Sequence, residues 1–287
     1  MSPWPVALAL GAGCSNALLG VFAKQAQRQA CRPEVVPVLM LGTVALVSAA
    51  AAPWAPGSWG DRGLWVLAGA MGMLYVAALQ AMLVANRTCP PSLVWALANL
   101  ALVVPVALAP LLLDEPWRAL DGLLVAAFVA MLACFRRGLA HSGEAARAPW
   151  VQVRWPLAAV FLSNGLLMLG YKLEARHWPA VGAVPFLVMT FGSGTLFGLL
   201  ARYRATAATC RAEWCWGLGM GLAATVANLC VLGAVALPAA VVFPLVQGTG
   251  LIGGTALMVW LFREPMNRAK WAGLACGLLV LVLAMAR

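Results

Sequence analysis

Ser15–Lys24 reads SNALLGVFAK, and Ser163–Lys172 reads SNGLLMLGYK. Ser, Asn, two Leu and Lys recur at one constant separation of 148 residues. Both copies sit inside long apolar segments, where an amide is costly and an ammonium costlier, so polar matches by chance are rarer there than on a soluble surface. The pair marks the seam of an internal duplication, and the rest of the chain is read outward from it.

The 287 residues are 63% hydrophobic and 10% charged, with a mean hydropathy of +0.90. No ordinary soluble domain has that balance. The apolar residues lie in runs of about twenty, the length a helix needs to cross about 30 Å of hydrocarbon. Lipid admits helices or closed barrels, and these runs lack the alternation of barrel strands, so the expected class is an all-α membrane protein. Met1-Ser2-Pro3-Trp4-Pro5 carries no basic residue and leads into a full-length apolar helix, against a cleaved signal peptide. The net charge of +10 reads as loop charge that sets topology, with no nucleic-acid partner. Eight scattered Cys, without CxxC or nearby His, act as small apolar residues and imply neither metal nor disulfide framework.

Ten helices are expected. The first half places them at about 5–27, 34–52, 64–86, 92–113 and 117–135. The polar segment Arg136 to Arg154 is the longest connection. The second half repeats the plan at about 155–174, 181–202, 214–237, 239–262 and 267–286. Five helices per repeat, an odd number, inserts the halves upside down to each other, the plan of many secondary transporters. The repeats are 1–140 and 141–287. The duplication extends beyond the seam: Gln80 pairs with Asn228 and Asn99 with Gln247 at 148, while Glu115-Pro116 pairs with Glu264-Pro265 at 149. Most of the 13 Trp fall at expected helix ends, as an interfacial belt would.

The amides Asn16, Asn164, Gln80, Asn228, Asn99 and Gln247 lie near the middle thirds of their helices. Each needs a partner helix, water or a substrate. The functional reading is one polar cavity between the repeats, with Ser15 and Ser163 beside it and Tyr75, Tyr171, Trp95 and Phe243 as aromatic walls. The bland reading is interhelical glue, about 1 kcal/mol per contact. Lys24 and Lys172 lie toward their helix ends, where they either snorkel to the interface or lend positive potential to a solute path. Glu115 and Glu264, each before a Pro, read as helix-start acids for the helices that follow, with a gating ion pair as the alternative.

The nine acids all fall at expected helix ends or in loops, which argues against a cation/proton antiporter built on a mid-membrane carboxylate. Gly217, Gly219 and Gly221 form a GxGxG inside an apolar helix, where close helix packing accounts for them better than a nucleotide does. Gly and Pro around Pro105, Pro110 and Pro244 are candidate flexing points. His141 and His177 are far apart, and no GxSxG or HExxH occurs, so no enzyme and no cofactor is expected.

Two five-helix halves, the polar seam, and the Glu-Pro endings of the fourth and ninth helices resemble the drug/metabolite transporter superfamily, in its EamA-type ten-helix branch. Gly20, Phe22 and Lys24 match the family's first-helix ending, and Gly170, Tyr171 and Lys172 match it more loosely. Glu115 with Gly122 and Glu264 with Gly273 match the motif after the fourth helix of each half. Leu18 and Leu19 stand where many members have a Trp before the glycine, and the second helix lacks the family's Arg. The resemblance implies alternating-access movement of a small polar metabolite, an amino acid or organic anion, through a central cavity. The contrasting reading is a structural or lipid-handling membrane protein. The expected setting is the lipid bilayer of a bacterial inner membrane, as a monomer or weak homodimer with a small-molecule substrate. The family's usual orientation has the N-terminus inside. The charge count favours both termini outside, because 14 of the 19 basic residues then face the cytoplasm.

Overall fold

The structure is a computed structural model that describes residues 3–54, 59, 61–88, 91–140, 150–202, 209–263, 266 and 268–286. Among the described residues it is helical throughout, without strands. The helices are α1 (Pro3–Arg28), α2 (Val36–Ala51), α3 (Arg62–Thr88), α4 (Pro91–Leu100), α5 (Val103–Leu112), α6 (Ala119–Ala140), α7 (Trp150–His177), α8 (Ala183–Arg202), α9 (Arg211–Ala234), α10 (Ala239–Phe262) and α11 (Arg268–Ala286). Seven of them, α1, α2, α3, α7, α8, α9 and α10, hold stretches long and apolar enough to span a membrane. The chain is therefore a multi-pass helical membrane protein. Its outer surface carries Leu46, Val66, Leu111, Leu200 and Trp260, large apolar side chains that water would not favour and lipid does.

The halves do not pack separately. Helix α1 lies against α9 and α10, while α7, which carries the second SN-LL-K stretch, lies against α3 and the α4–α5 pair. Helix α2 contacts α8 and α9, α3 contacts α8, and α6 contacts α11. Exchanging the first half for the second maps α1–α9 onto α7–α3, α1–α10 onto α7 with α4–α5, and α2–α9 onto α8–α3, and leaves α2–α8 and α6–α11 as they are. The closest approaches rest on glycine. A Cβ on Gly72 would lie 2.7 Å from Gly194 N and Thr190 O of α8, and one on Gly13 would lie 2.7 Å from Val246 O of α10. Without a hydrophobic drive between helices in lipid, such backbone proximity supplies the packing contacts.

The expected fourth helix is two. It breaks at Ala101 and Leu102, because Pro105 has no N–H to give the carbonyl of Ala101 and its ring crowds that carbonyl. The Ala101 carbonyl accepts from Val104 N at 3.0 Å instead. Helix α10 runs unbroken, and the residue 148 positions after Pro105 is Gly253. A second backbone feature recurs between the halves. Asp114 and Arg263, each directly before a Glu-Pro, have φ of 52° and 54°. Both end their helices in the left-handed region that non-glycine residues seldom enter.

Candidate functional site

Three polar side chains from three helices meet inside the bundle. Tyr75 of α3 and Tyr171 of α7 bring their hydroxyls to 2.5 Å. The Tyr171 hydroxyl donates to Asn228 Oδ1 of α9, and Tyr75 reaches the same oxygen at 3.3 Å. The Asn228 amide donates back to Ala224 O at 2.7 Å, which fixes the orientation of its carbonyl. Two hydroxyl protons thus serve three oxygens, and the group is rich in acceptors. Tyr75 packs on Phe191 with ring centroids 4.8 Å apart, and Tyr171 meets Phe186 edge-on at 6.0 Å, so α8 supplies an aromatic backing.

One residue after Tyr171 the charged groups take a different arrangement from the one the sequence implies. Lys172 does not snorkel: it is 7% exposed, and its Nζ lies 2.5 Å from Glu115 Oε1. It also donates to Leu237 O at 2.8 Å and Val235 O at 3.2 Å, carbonyls of the link between α9 and α10. The second Glu115 oxygen accepts from Ala239 N at 2.7 Å. Glu115 therefore caps the start of α10 and not of α6, the helix that follows it, whose first turn is served by Asp121 accepting from Arg118 N at 2.9 Å. The expectation of a helix-start acid is right in chemistry and wrong in helix. This latch ties α7, the end of α5 and the α9–α10 link, and outside it Arg176 meets Asp114 at 2.6 Å. The cleft beside Glu115, lined by Val106, Pro110, Trp117 and Ala240, holds about 10 Å³, room for about one water and no metabolite.

The opposite end holds a second ion pair that no sequence motif signals. Arg32, between α1 and α2, grips Glu213 of α9 through Nε to Oε1 at 2.7 Å and Nη2 to Oε2 at 2.8 Å. That two-point grip raises the Arg32 guanidinium above its ordinary range. Glu213 Oε2 also accepts from Cys210 N at 2.9 Å, so one carboxylate caps its own helix and binds a distant loop. Lys24 and Arg28 lie over the ring of Phe262, 4.7 and 4.3 Å from its centroid.

Of the residues singled out from sequence, Tyr75 and Asn228 join the central group, together with Tyr171. The others do not converge on it as expected. Gln80 is exposed and lies five residues beyond Tyr75, about 140° around α3. Asn164 donates to Val160 O at 2.8 Å and Ser163 to Ala159 O at 2.6 Å, so the second seam copy satisfies its own helix. Ser15 is buried, and Asn16 packs against Gly250 of α10. Asn99 is buried beside the α4 break, and Gln247 is half-buried on α10. Trp95 lies on α4, its side chain outside the described residues, and Glu264 lies outside them altogether. The acids also need correcting. Helix α7 continues to His177, which leaves Glu174 a turn inside the helix, 5% exposed.

No family model matches the chain, and no curated protein matches it. A solved structure described as "Crystal structure of protein" superposes with a TM-score of 0.76 at 18% identity, over 96% of this chain and 98% of that one. At that identity the likeness is one of fold. The class defined by fold and surface is a multi-pass helical membrane protein with a polar group enclosed among its helices.

Proposed function

We propose that the protein is a secondary transporter for a small polar organic metabolite, working by alternating access between two inverted five-helix repeats. The observation that carries this reading is the Tyr75–Tyr171–Asn228 group, an acceptor-rich cluster drawn from both halves and closed over at one end by an ion-pair latch. Helix glue needs no such excess of acceptors. Three shorter apolar helices, Leu97–Leu112, Ala119–Cys134 and Trp271–Ala286, bring the seven long spans to ten. The exchange symmetry of the helix pairings and the matched left-handed residues Asp114 and Arg263 support the inverted repeat.

The latch alters the substrate preference. Glu115 neutralises Lys172, which removes the ground for favouring an organic anion. Three oxygens with two protons, backed by Phe186 and Phe191, suit a donor group such as an amine or hydroxyl. An amino acid or other amine-bearing metabolite is the favoured solute. The chain fits the drug/metabolite transporter superfamily in this reading, in a bacterial inner membrane.

The test is a thermal-shift screen of purified protein against amino acids, amines, sugars and organic acids, followed by counterflow in proteoliposomes. A donor-bearing solute should stabilise the wild type and exchange, and Tyr171→Phe and Asn228→Leu should abolish both effects while Asn164→Leu retains them. If no solute stabilises or exchanges, the structural or lipid-handling reading takes its place.

A further inference from the structure

Glu174 is the buried acid that the architecture leaves unexplained. It lies on α7 three residues after Tyr171 and is 5% exposed. Among the described residues its carboxyl has no ion pair and no hydrogen bond, although the other acids with buried or bonded carboxyls have theirs: Glu115 has Lys172, Glu213 has Arg32, Asp114 has Arg176, Asp61 has Leu64 N and Asp121 has Arg118 N. The position 148 residues earlier, Ala26, is equally buried at 5%. The first half thus fills the same place with a methyl group, so packing does not require a carboxyl there.

Among the described residues, the helices packed on α7 give the Glu174 carboxyl no ion pair. Helix α3 packs on α7, with Met71 against Gly170, and the charged residues nearest that contact, Asp61 and Arg62, lie at its start. Asp61 Oδ1 is occupied by Leu64 N at 3.0 Å. Helices α4 and α5 contain no charged residue, and the acids just beyond α5, Asp114 and Glu115, are taken by Arg176 and Lys172. Helix α8, which reaches α7 through Phe186, has no charge before Arg202. His177 follows at the end of the helix. The remaining titratable neighbours are Tyr171, one turn earlier, and Tyr75 bound to it. A bare carboxylate in such a place is costly, and a proton is the smallest partner that removes the cost.

We propose that Glu174 is the proton-binding carboxyl that couples this transporter's cycle, an inference that rests on the transport reading above. In the closed arrangement the carboxyl carries its proton. When the Lys172–Glu115 latch opens, water reaches Glu174, and the proton leaves a carboxylate oxygen for that water. Its charge then appears one turn from the Tyr75–Tyr171–Asn228 group, where it favours an amine-bearing solute. Uptake of a proton from water on the other face of the membrane, as the solute leaves there, restores the protonated carboxyl. Proton and solute are thereby linked through Tyr171 without any change of covalent bonds other than the O–H of the carboxyl.

The test uses full-length protein in detergent and protons alone as ligand. Infrared difference spectra taken between about pH 5 and pH 9 follow the carboxylic C=O stretch. A band that bleaches as pH rises, is absent in Glu174→Gln and persists in Glu174→Asp is the expected result. Gln resembles the protonated acid, so Glu174→Gln should fold, and its thermal unfolding should lose the pH dependence that the wild type shows over this range. A wild-type spectrum unchanged by Glu174→Gln overturns the proposal. So does failure of Glu174→Gln to fold while Glu174→Asp folds, which would show that the site requires the negative charge. Neither readout needs a solute. A missing band alongside solute exchange removes the proton site and leaves the transporter reading, and a titrating band without any exchange does the reverse.

Discussion

Lys172 shows how a single residue changes meaning between sequence and structure. Its place in SNGLLMLGYK marks it as polar in an apolar run, but the identity of its counterion depends on where the end of α5 is folded. Removing one member of a buried pair leaves the other uncompensated, so Lys172→Met or Glu115→Gln should each destabilise by about 3 kcal/mol, and the double variant by less than their sum. A double-mutant cycle of thermal unfolding in detergent measures the coupling; additive losses would mean that the latch contributes nothing as a pair. Asp61, just before α3, has a different role. The backbone N–H of Leu64 holds its carboxyl below the usual carboxylate range. A depressed carboxyl contributes stability that is present above its unfolded value and lost as pH falls through its folded one. Asp61→Ala should therefore lower the unfolding temperature at neutral pH and converge on the wild type as pH falls below about 4, which flattens the acid limb.

At the scale of helices, the useful contrast is between glycines that touch and glycines that do not. Gly72 and Gly69 lie on the same helix, α3. A Cβ on Gly72 would meet the backbone of α8 at 2.7 Å, and one on Gly69 would meet nothing within 4 Å. Gly72→Ala should cost about 1–3 kcal/mol by forcing α3 and α8 apart, while Gly69→Ala should be neutral or stabilising. Equal unfolding temperatures for the two variants would contradict the close α3–α8 approach. The break between α4 and α5 belongs to the same scale. Pro105 was visible in the sequence as a candidate flexing point, and its lost hydrogen bond is a local matter. Pro244 looks equivalent on paper, but α10 remains continuous through it. Proline identity alone did not distinguish the two cases.

For the whole molecule, the two ends differ in charge. The expected loops place 14 of 19 basic residues at the end that holds Arg32 and Glu213, away from the latch. The positive-inside rule then puts the latch outside. In a cysteine-free background, Trp54→Cys should react with an impermeant thiol reagent in intact cells and Arg154→Cys should not. Both positions are exposed, at opposite ends of the bundle, so reversed labelling would invert the assignment. The structure also shows why neither half should be stable alone. Helix α1 buries itself on α9 and α10, and α7 on α3, α4 and α5. A fragment ending near residue 140 would leave its seam helix without its principal partners.

By itself the sequence determined the class, an all-helical multi-pass membrane protein, and the match between Ser15–Lys24 and Ser163–Lys172. Those properties depend on length, hydropathy and local backbone chemistry, which are set within a few turns of chain. Only the tertiary structure decided which polar residues meet. Tyr75, Tyr171 and Asn228 are brought together from positions 57 to 153 residues apart. Asn164, at the heart of the seam, turns to its own carbonyl instead. Glu174 reads as a helix-end acid in sequence, whereas α7 runs on to His177 and sets Glu174 three residues after Tyr171. Partner choice for a buried polar group depends on helix rotation and on which helices are neighbours, and the hydropathy of a single segment carries neither.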